Sequence, residues 1–131
     1  MIALDTNVLA RYLLADEPAQ FAAAQRLMSG AEPCTAPLTV LLELVWVLES
    51  RALARQDIAA GLRALLGLAH FKPQQAPVLA QSLAWYEQGL GFAEALHLAQ
   101  CRDASSFASF DVRLGQRAGK LATQPPVVKP A

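Results

Sequence analysis

The sequence predicts an α/β fold in which a mostly parallel sheet of four to five short strands is covered by helices on both faces. Short apolar runs alternate along the chain with longer segments whose apolar residues recur at helical spacing. Two aspartates, Asp5 and Asp111, directly follow predicted strands, and the carboxyl ends of parallel strands share one edge of a sheet. The length of 131 residues suits a single domain spanning residues 1–131.

The first part of the chain predicts one strand and two helices. The apolar run "MIAL" ends at Asp5, and the following "TNVLARYLL" has the apolar spacing of a helix. The sequence "DEP" then supplies a cap and a first-turn proline for a second helix, which Gly30 is expected to end. This order places Asp5 at the junction of a strand and a helix.

The rest of the chain continues the alternation. A short strand over Cys34 to Ala36 precedes a long helix that Pro37 opens and that continues through Glu49, and a further helix begins near Asp57. The segment "QQAPVL" predicts a third strand before the next helix, and "FAEALHLAQC" predicts another helix. The segments "SSFASF", "DVRLGQRAG" and "PVV" then predict a strand, a helix and a last strand, so that Asp111 also lies at a strand-to-helix junction.

Charge and apolar content indicate the kinds of partner. Lys plus Arg and Asp plus Glu both number 11, and no polybasic run of the kind that drives non-specific nucleic-acid binding is present. Apolar residues make up 54% of the chain, which predicts more apolar surface than one core of this size can bury, and therefore association with a partner. The side chains that suggest this surface are Trp46, Leu62, Leu65, Leu66, Trp85 and Tyr86.

The sequence also bears on the cellular location of the protein and on the state of its two cysteines. No apolar run approaches the roughly 18 residues of a membrane span, and the first residues, "MIALD", have no basic stretch before an apolar segment. We therefore expect a cytoplasmic protein that does not contact membranes. Cys34 and Cys101 belong to no Cys-x-x-Cys pair or Cys/His cluster, and both are interpreted as buried thiols.

Four carboxylates stand out by their context: Asp5 and Asp111 at strand ends, and Glu43 and Glu94 in apolar helices. Each has a plain structural alternative. Either aspartate could be a helix N-cap, and Glu94 could pair with His97 one turn later on the same helix. Glu43 is the hardest to explain, because "LLELVWVLE" offers it no cation and an uncompensated charge among apolar side chains is costly.

Together, the four carboxylates predict a cation site. Two unit charges about 5 Å apart at an effective dielectric of about 20 repel by roughly 3 kcal/mol, so a cluster of four would hold either protons or cations. Oxygen ligands favour Mg²⁺ or Mn²⁺ with water completing the coordination shell. Neither histidine adds a metal-ligand pattern, and both are interpreted as structural.

These segments resemble a known family. "ALDTNVLARYLL", "TVLLELVWVL", "GFAEALHLA" and "SFASFD" together resemble a PIN-domain ribonuclease, specifically a VapC-type toxin of a bacterial toxin–antitoxin pair, over nearly the whole chain. The resemblance implies a three-layer α/β/α sandwich and a metal-dependent endoribonuclease that uses Mg²⁺ or Mn²⁺. It places the acidic quartet of the family on Asp5, Glu43, Glu94 and Asp111, as catalytic residues and metal ligands.

The resemblance also implies supporting residues and partners. Asn7 and Ser109 match nearby polar positions that orient carboxylates or metal-bound water. The expected partners are an RNA substrate, a cognate VapB-type antitoxin and a second copy of the chain in a homodimer. Arg11, Arg113 and Arg117 are candidate phosphate contacts, with solvated surface charge as the alternative.

The chain departs from the family pattern at three positions. The family usually has D-F-A-D where this chain reads "GFAE", so that Gly91 and Glu94 replace two aspartates, and Ser109 replaces the commoner threonine. The extra methylene of Glu94 could shift a metal by about 1 Å, which can cost a large factor in rate. A catalytically weak PIN-like module that binds RNA or protein is therefore the alternative function.

A phosphorylatable receiver domain, which also has an acidic crevice, fits the sequence poorly. It needs adjacent acids after the first strand, whereas Asp5 is followed by Thr6. It also needs an aspartate after the middle strand, and "QQAPVL" has none.

Overall fold

The computed structural model describes all residues, Met1–Ala131, which divide into two compact units, Met1–Ala76 and Pro77–Ala131. The elements of the first unit are β1 (Ile2–Ala3), α1 (Thr6–Leu14), α2 (Pro18–Met28), β2 (Cys34–Thr35), α3 (Leu38–Ser50) and α4 (Arg55–Leu66). Those of the second are α5 (Ala76–Glu87), α6 (Phe92–Gln100), β3 (Phe107–Ala108), α7 (Val112–Leu121) and β4 (Val127–Val128).

The strands of the first unit are short and parallel, as predicted. β1 pairs with β2 in a register that places Ile2 opposite Cys34. Cys34 also forms a parallel bridge with Phe71, where its N–H donates to the carbonyl of His70 at 2.7 Å. The backbone after Ala3 leaves this sheet and enters α1 directly, which places Asp5 at the end of the strand.

Four helices enclose the core of the first unit. α1 packs against α2 and α3, and α3 packs against α4. α3 directs Leu38, Leu41, Leu44, Val45 and Leu48 into this core. Because these positions recur every three or four residues, they form one continuous stripe along the helix.

The second unit also contains one pair of parallel strands. β3 pairs with β4, with Phe107 opposite Val127, and α7 packs against β4. Tyr86 and Phe92 meet edge to face at 5.6 Å between ring centroids and join the end of α5 to the start of α6. Four strands of two residues each are observed, one fewer than the five segments that the sequence predicts as strands.

One predicted strand is wrong. The segment "QQAPVL" forms the start of α5, which begins at Ala76. Gln75 has a left-handed backbone with a φ of 52° and turns the chain just before the helix. Pro77 then lies in the first helical turn, where its missing N–H has no helical partner to lose. The short apolar run in "QQAPVL" is typical of a strand, but in the structure it is the first turn of a longer helix.

The predicted apolar surface is also largely wrong. Leu62, Leu65, Trp85 and Tyr86 are buried and Leu66 is half-buried, so five of the six named side chains contribute to cores. Trp46 is the exception, with 68% of its surface exposed. Phe110 and Val112, which the sequence did not single out, are 75% and 60% exposed. Exposed apolar surface therefore exists, but at Trp46 alone of the predicted positions and at others that the sequence did not indicate.

The cysteines differ from each other. Cys34 is buried, and burial raises the pKa of its thiol. Cys101 is exposed just after α6, so the prediction that both thiols are buried is wrong for this residue. None of the seven helices combines the length and the apolar character needed to cross a lipid bilayer.

Candidate active site

Asp5 caps the first helix through one of its two carboxylate oxygens. Its Oδ1 accepts from the backbone N–H of Thr6 at 2.8 Å, and its backbone is extended, as is usual at an N-cap. Asp5 is therefore a helix N-cap, which is one of the two roles that the sequence suggests for it. Its Oδ2 accepts no hydrogen bond, and the side chain is exposed, so that capping leaves this oxygen free to bind a ligand.

Thr6 joins Asp5 to Glu43. The Thr6 hydroxyl donates to Oε1 of Glu43 across 37 residues of sequence, while its own N–H donates to Asp5. Thr6 is 5% exposed, one of three buried polar residues in the chain. The sequence did not single out Thr6. The one feature that could have indicated its role is a hydroxyl side chain directly after Asp5.

The expectation that Glu43 is buried among apolar side chains is wrong. Glu43 is exposed, together with Thr39 and Trp46, on the side of α3 that faces away from the core. Most neighbours of Glu43 in sequence point to other faces of the helix, so its ionised form keeps contact with water. The Glu43 carboxylate therefore has no desolvation cost to offset. The feature that distinguishes Glu43 is the hydrogen bond that it accepts from the Thr6 hydroxyl.

Glu94 lies in the first turn of α6 and is half-buried. No salt bridge joins it to His97, which is exposed, so the predicted pairing along the helix is absent. Its carboxylate folds back toward the start of the helix. A Cβ placed on Gly91 would lie 3.0 Å from Oε1 of Glu94, which is tight for a carbon and an oxygen.

The two departures from the family motif are therefore physically related. The longer side chain of Glu94 occupies space beside residue 91 that is open because Gly91 has no side chain. An aspartate at position 91, as in the usual motif, would introduce a Cβ and a carboxylate beside the existing one. Gly91 and Glu94 thus fit each other as a pair.

Asp111 is the N-cap of α7, as Asp5 is of α1, but it accepts from an N–H three residues later instead of the adjacent one. Its Oδ1 accepts from the N–H of Leu114 at 3.1 Å, and the side chain is exposed. Its own N–H donates to Oγ of Ser109 at 3.0 Å. Ser109 therefore shapes the backbone that presents Asp111, while its role in orienting metal ligands stays a prediction. Oδ2 of Asp111 accepts no hydrogen bond.

The predicted supporting and basic residues have different surroundings. Asn7 is exposed on α1, and its side chain makes no hydrogen bond, so its orienting role stays a prediction. Nη1 of Arg11 lies 2.6 Å from both carboxylate oxygens of Asp16, and this hydrogen bond holds the pKa of Asp16 below its usual value. Arg113 and Arg117 are exposed and form no ion pair, which leaves them better suited than Arg11 to contact phosphate.

The chemistry of the four predicted ligands suits a hard divalent cation. No Lys, Arg or His forms a salt bridge with Asp5, Glu43, Glu94 or Asp111. Each has at least one carboxylate oxygen without a hydrogen-bond donor. Free carboxylate oxygens are the ligands that Mg²⁺ and Mn²⁺ prefer. The structure contains no group of three or more His, Cys, Asp or Glu side chains arranged to hold a metal ion.

A comparison with protein families decides the membership of this chain. The PIN domain model matches residues 2–120, which is most of the sequence and includes all four carboxylates. The chain belongs to the PIN domain family. Among curated proteins, none shows a significant sequence match.

Membership confirms the fold class predicted from the sequence. A PIN domain has an α/β/α fold, and the helices and short parallel strands observed here agree with it. It also gives the chain a nuclease-type fold, for which hydrolysis of nucleic acid is the typical activity. Fold alone does not establish function, which depends on the residues of the site.

Proposed function

We propose that this PIN-domain protein is a metal-dependent endoribonuclease that hydrolyses RNA phosphodiester bonds and acts as the VapC-type toxin of a toxin–antitoxin pair. The observation that carries the proposal is the position of Thr6, which donates from its backbone to Asp5 and from its hydroxyl to Glu43. Two carboxylates remote in sequence are thereby oriented by one buried residue.

The proposed metal ligands are Asp5, Glu43, Glu94 and Asp111. When bound, Mg²⁺ or Mn²⁺ would neutralise charge on the scissile phosphate and make an attacking water more acidic. The protein orients these carboxylates through one oxygen each and leaves the other free for the ion: Thr6 holds Oε1 of Glu43, and helix capping holds Oδ1 of Asp5 and of Asp111. The free Oε2 of Glu43, or a carboxylate oxygen of Glu94, accepts the proton that the attacking water loses.

Cleavage of a single-stranded RNA in the presence of Mn²⁺ tests this function. Wild type should cleave when Mn²⁺ is added and stop when EDTA is added. Asp5→Asn should lower the rate at least about 100-fold, because an amide replaces a ligand charge in a site that works by electrostatic stabilisation. Asp103→Asn is the matched control, since Asp103 is exposed and outside the predicted site. Equal rates for wild type and Asp5→Asn would contradict the proposal.

A catalytically weak PIN-like module that binds RNA or protein is the second candidate function. The observation that favours it is the position of Glu94, whose carboxylate folds back beside Gly91. A ligand oxygen held there can be displaced from the place that an aspartate oxygen would take. RNA binding by wild type with no metal-dependent cleavage would favour this module over the enzyme.

The proposed partners besides RNA are a VapB-type antitoxin and a second copy of the chain. A groove between α1 and α2, with a volume of about 300 Å³, offers a place for an antitoxin segment. Its lining combines apolar and polar side chains: Asn7, Val8, Arg11, Gln20, Ala23, Ala24 and Leu27. The exposed ring of Trp46 gives apolar surface for association of two copies.

Competition between antitoxin and metal follows from the same charges. A basic antitoxin side chain placed near Asp5 and Glu43 would relieve carboxylate repulsion as a cation does. Inhibition should then weaken as Mn²⁺ is raised, and light scattering of the toxin alone should give the mass of a dimer. Inhibition independent of Mn²⁺ would contradict the competition, and a monomer throughout the micromolar range would contradict the dimer.

A further inference from the structure

We propose that Phe110 stacks on a base of the RNA strand next to the cleaved phosphate, an inference that rests on the proposed ribonuclease function. Phe110 is 75% exposed, more than any other large apolar side chain of the chain. It directly precedes Asp111, a proposed metal ligand. An exposed aromatic ring in such a place offers a stacking surface to any base, because every base has a π-face.

The backbone on both sides of Phe110 is fixed by hydrogen bonds. The N–H of Ser109 donates to the carbonyl of Val128 at 2.9 Å, which ties the preceding residue to β4. The N–H of Asp111 donates to Oγ of Ser109 at 3.0 Å, and Asp111 in turn caps α7. Because the segment is already ordered, little backbone entropy is lost when a ligand meets the ring.

Phe110 lacks the packing role that an apolar residue just before a helix N-cap usually has. A residue just before an N-cap often packs against the fourth residue of the helix, forming a hydrophobic staple. In α7 that fourth residue is Gly115, which has no side chain. A Cβ placed on Gly115 would meet nothing within 4 Å. Phe110 therefore does not staple the helix, and its exposure is not explained by local packing.

The charge of the surrounding sequence favours RNA as the occupant. Residues 104–131 contain four basic side chains, Arg113, Arg117, Lys120 and Lys129, and one carboxylate, Asp111, although the whole chain is neutral. Arg113 and Arg117 lie one turn apart on α7 and are exposed. An aromatic ring beside positive charge is the usual combination for single-stranded nucleic acid. A symmetric dimer through this segment would instead bring like charges together.

Fluorescence of 2-aminopurine in a short single-stranded RNA tests the stacking. The titration is done in EDTA, so that binding is measured without cleavage. Wild type should quench the fluorophore. Phe110→Ala and Phe110→Leu should lose the quenching and bind at least about fivefold more weakly, whereas Phe110→Tyr should retain both. Val112→Ala is the matched control, because Val112 is 60% exposed but not aromatic, and it should behave as wild type.

Three outcomes overturn the inference in distinguishable ways. If wild type cleaves RNA with Mn²⁺ but Phe110→Ala and Phe110→Leu bind and quench as wild type does, the stacking fails and the ribonuclease function stands. If Phe110→Ala lowers the mass seen by light scattering without changing quenching per chain, Phe110 belongs to an interface between copies. If wild type neither binds nor cleaves RNA, the stacking and the proposed function fail together.

Discussion

Asp5 and Glu43 share a single buried hydrogen-bonding partner, whereas Glu94 and Asp111 each take their position from the first turn of their own helix. The backbone N–H of Thr6 donates to the adjacent Asp5, and its hydroxyl donates to Glu43 across 37 residues of sequence. Asp111 caps α7 and Glu94 lies beside Gly91, so both are positioned by residues within three places in sequence. Glu43 is therefore positioned through tertiary packing of α1 on α3, whereas the other three carboxylates are positioned by residues near them in sequence.

This difference predicts how each pair responds to mutation. Changes in the second unit should act on one carboxylate at a time, because each is positioned separately. A side-chain change at Thr6 should act on Glu43 through a tertiary contact, and it leaves in place the backbone N–H that donates to Asp5. The variants below test this distinction.

Among changes at Glu94, Thr6 and Gly91, the largest effect is expected at Glu94. Glu94→Gln removes one ligand charge while keeping the length of the side chain, and should lower the rate of RNA cleavage at least tenfold, or about 1.4 kcal/mol in the barrier. Glu94→Asp should retain or raise the rate, because it restores the usual residue of the family. Full activity in Glu94→Gln would remove residue 94 from the site.

The next effect is expected at Thr6. Thr6→Val keeps the shape of the side chain but loses the hydroxyl, and hydrogen bonds to charged groups contribute about 1.5–3 kcal/mol. Part of this is regained from water because Glu43 is exposed, so we expect a decrease of about fivefold in Mn²⁺ affinity. Thr6→Ser keeps the hydroxyl and is the matched control. Equal affinities for Thr6→Val and Thr6→Ser would show that the hydrogen bond does not position Glu43 for metal.

The smallest effect is expected at Gly91. Gly91→Ala introduces a Cβ against the end of a flexible side chain, so the carboxylate of Glu94 should move by a few tenths of an ångström and cleavage should fall by about two- to threefold. The same change in a Glu94→Asp background should have no effect, because the shorter side chain does not reach residue 91. Equal losses in the two backgrounds would mean that the residues do not interact.

The positions of Asp5 and Asp111 could be predicted because their cause is local. In each case an apolar strand ends at an acidic residue that also starts a helix, and the structure shows both aspartates as caps. The lone carboxylate of "LLELVWVLE" could not be placed in this way. Every face of α3 contains apolar residues, so the exposed face is decided by which helices pack against it, and the sequence does not state this.

The same limit explains the missed contribution of Thr6 and the wrong strand before α5. A hydroxyl after Asp5 has no special meaning until α3 brings Glu43 beside it. The apolar run in "QQAPVL" is short enough to suit either a strand or a helical turn, and only its continuation into α5 decides. The interpretation of residues 1–131 as a single domain stays a prediction.

Calorimetric titration with Mn²⁺ tests the central claim most directly, because the claim is that these carboxylates bind a divalent cation. Wild type should bind Mn²⁺ with a measurable heat, and Asp103→Asn should match it. The double variant Asp5→Asn with Asp111→Asn, which removes one ligand charge from each unit, should lose the binding. Binding of Mn²⁺ by this double variant as tightly as by wild type would contradict the assignment of the site.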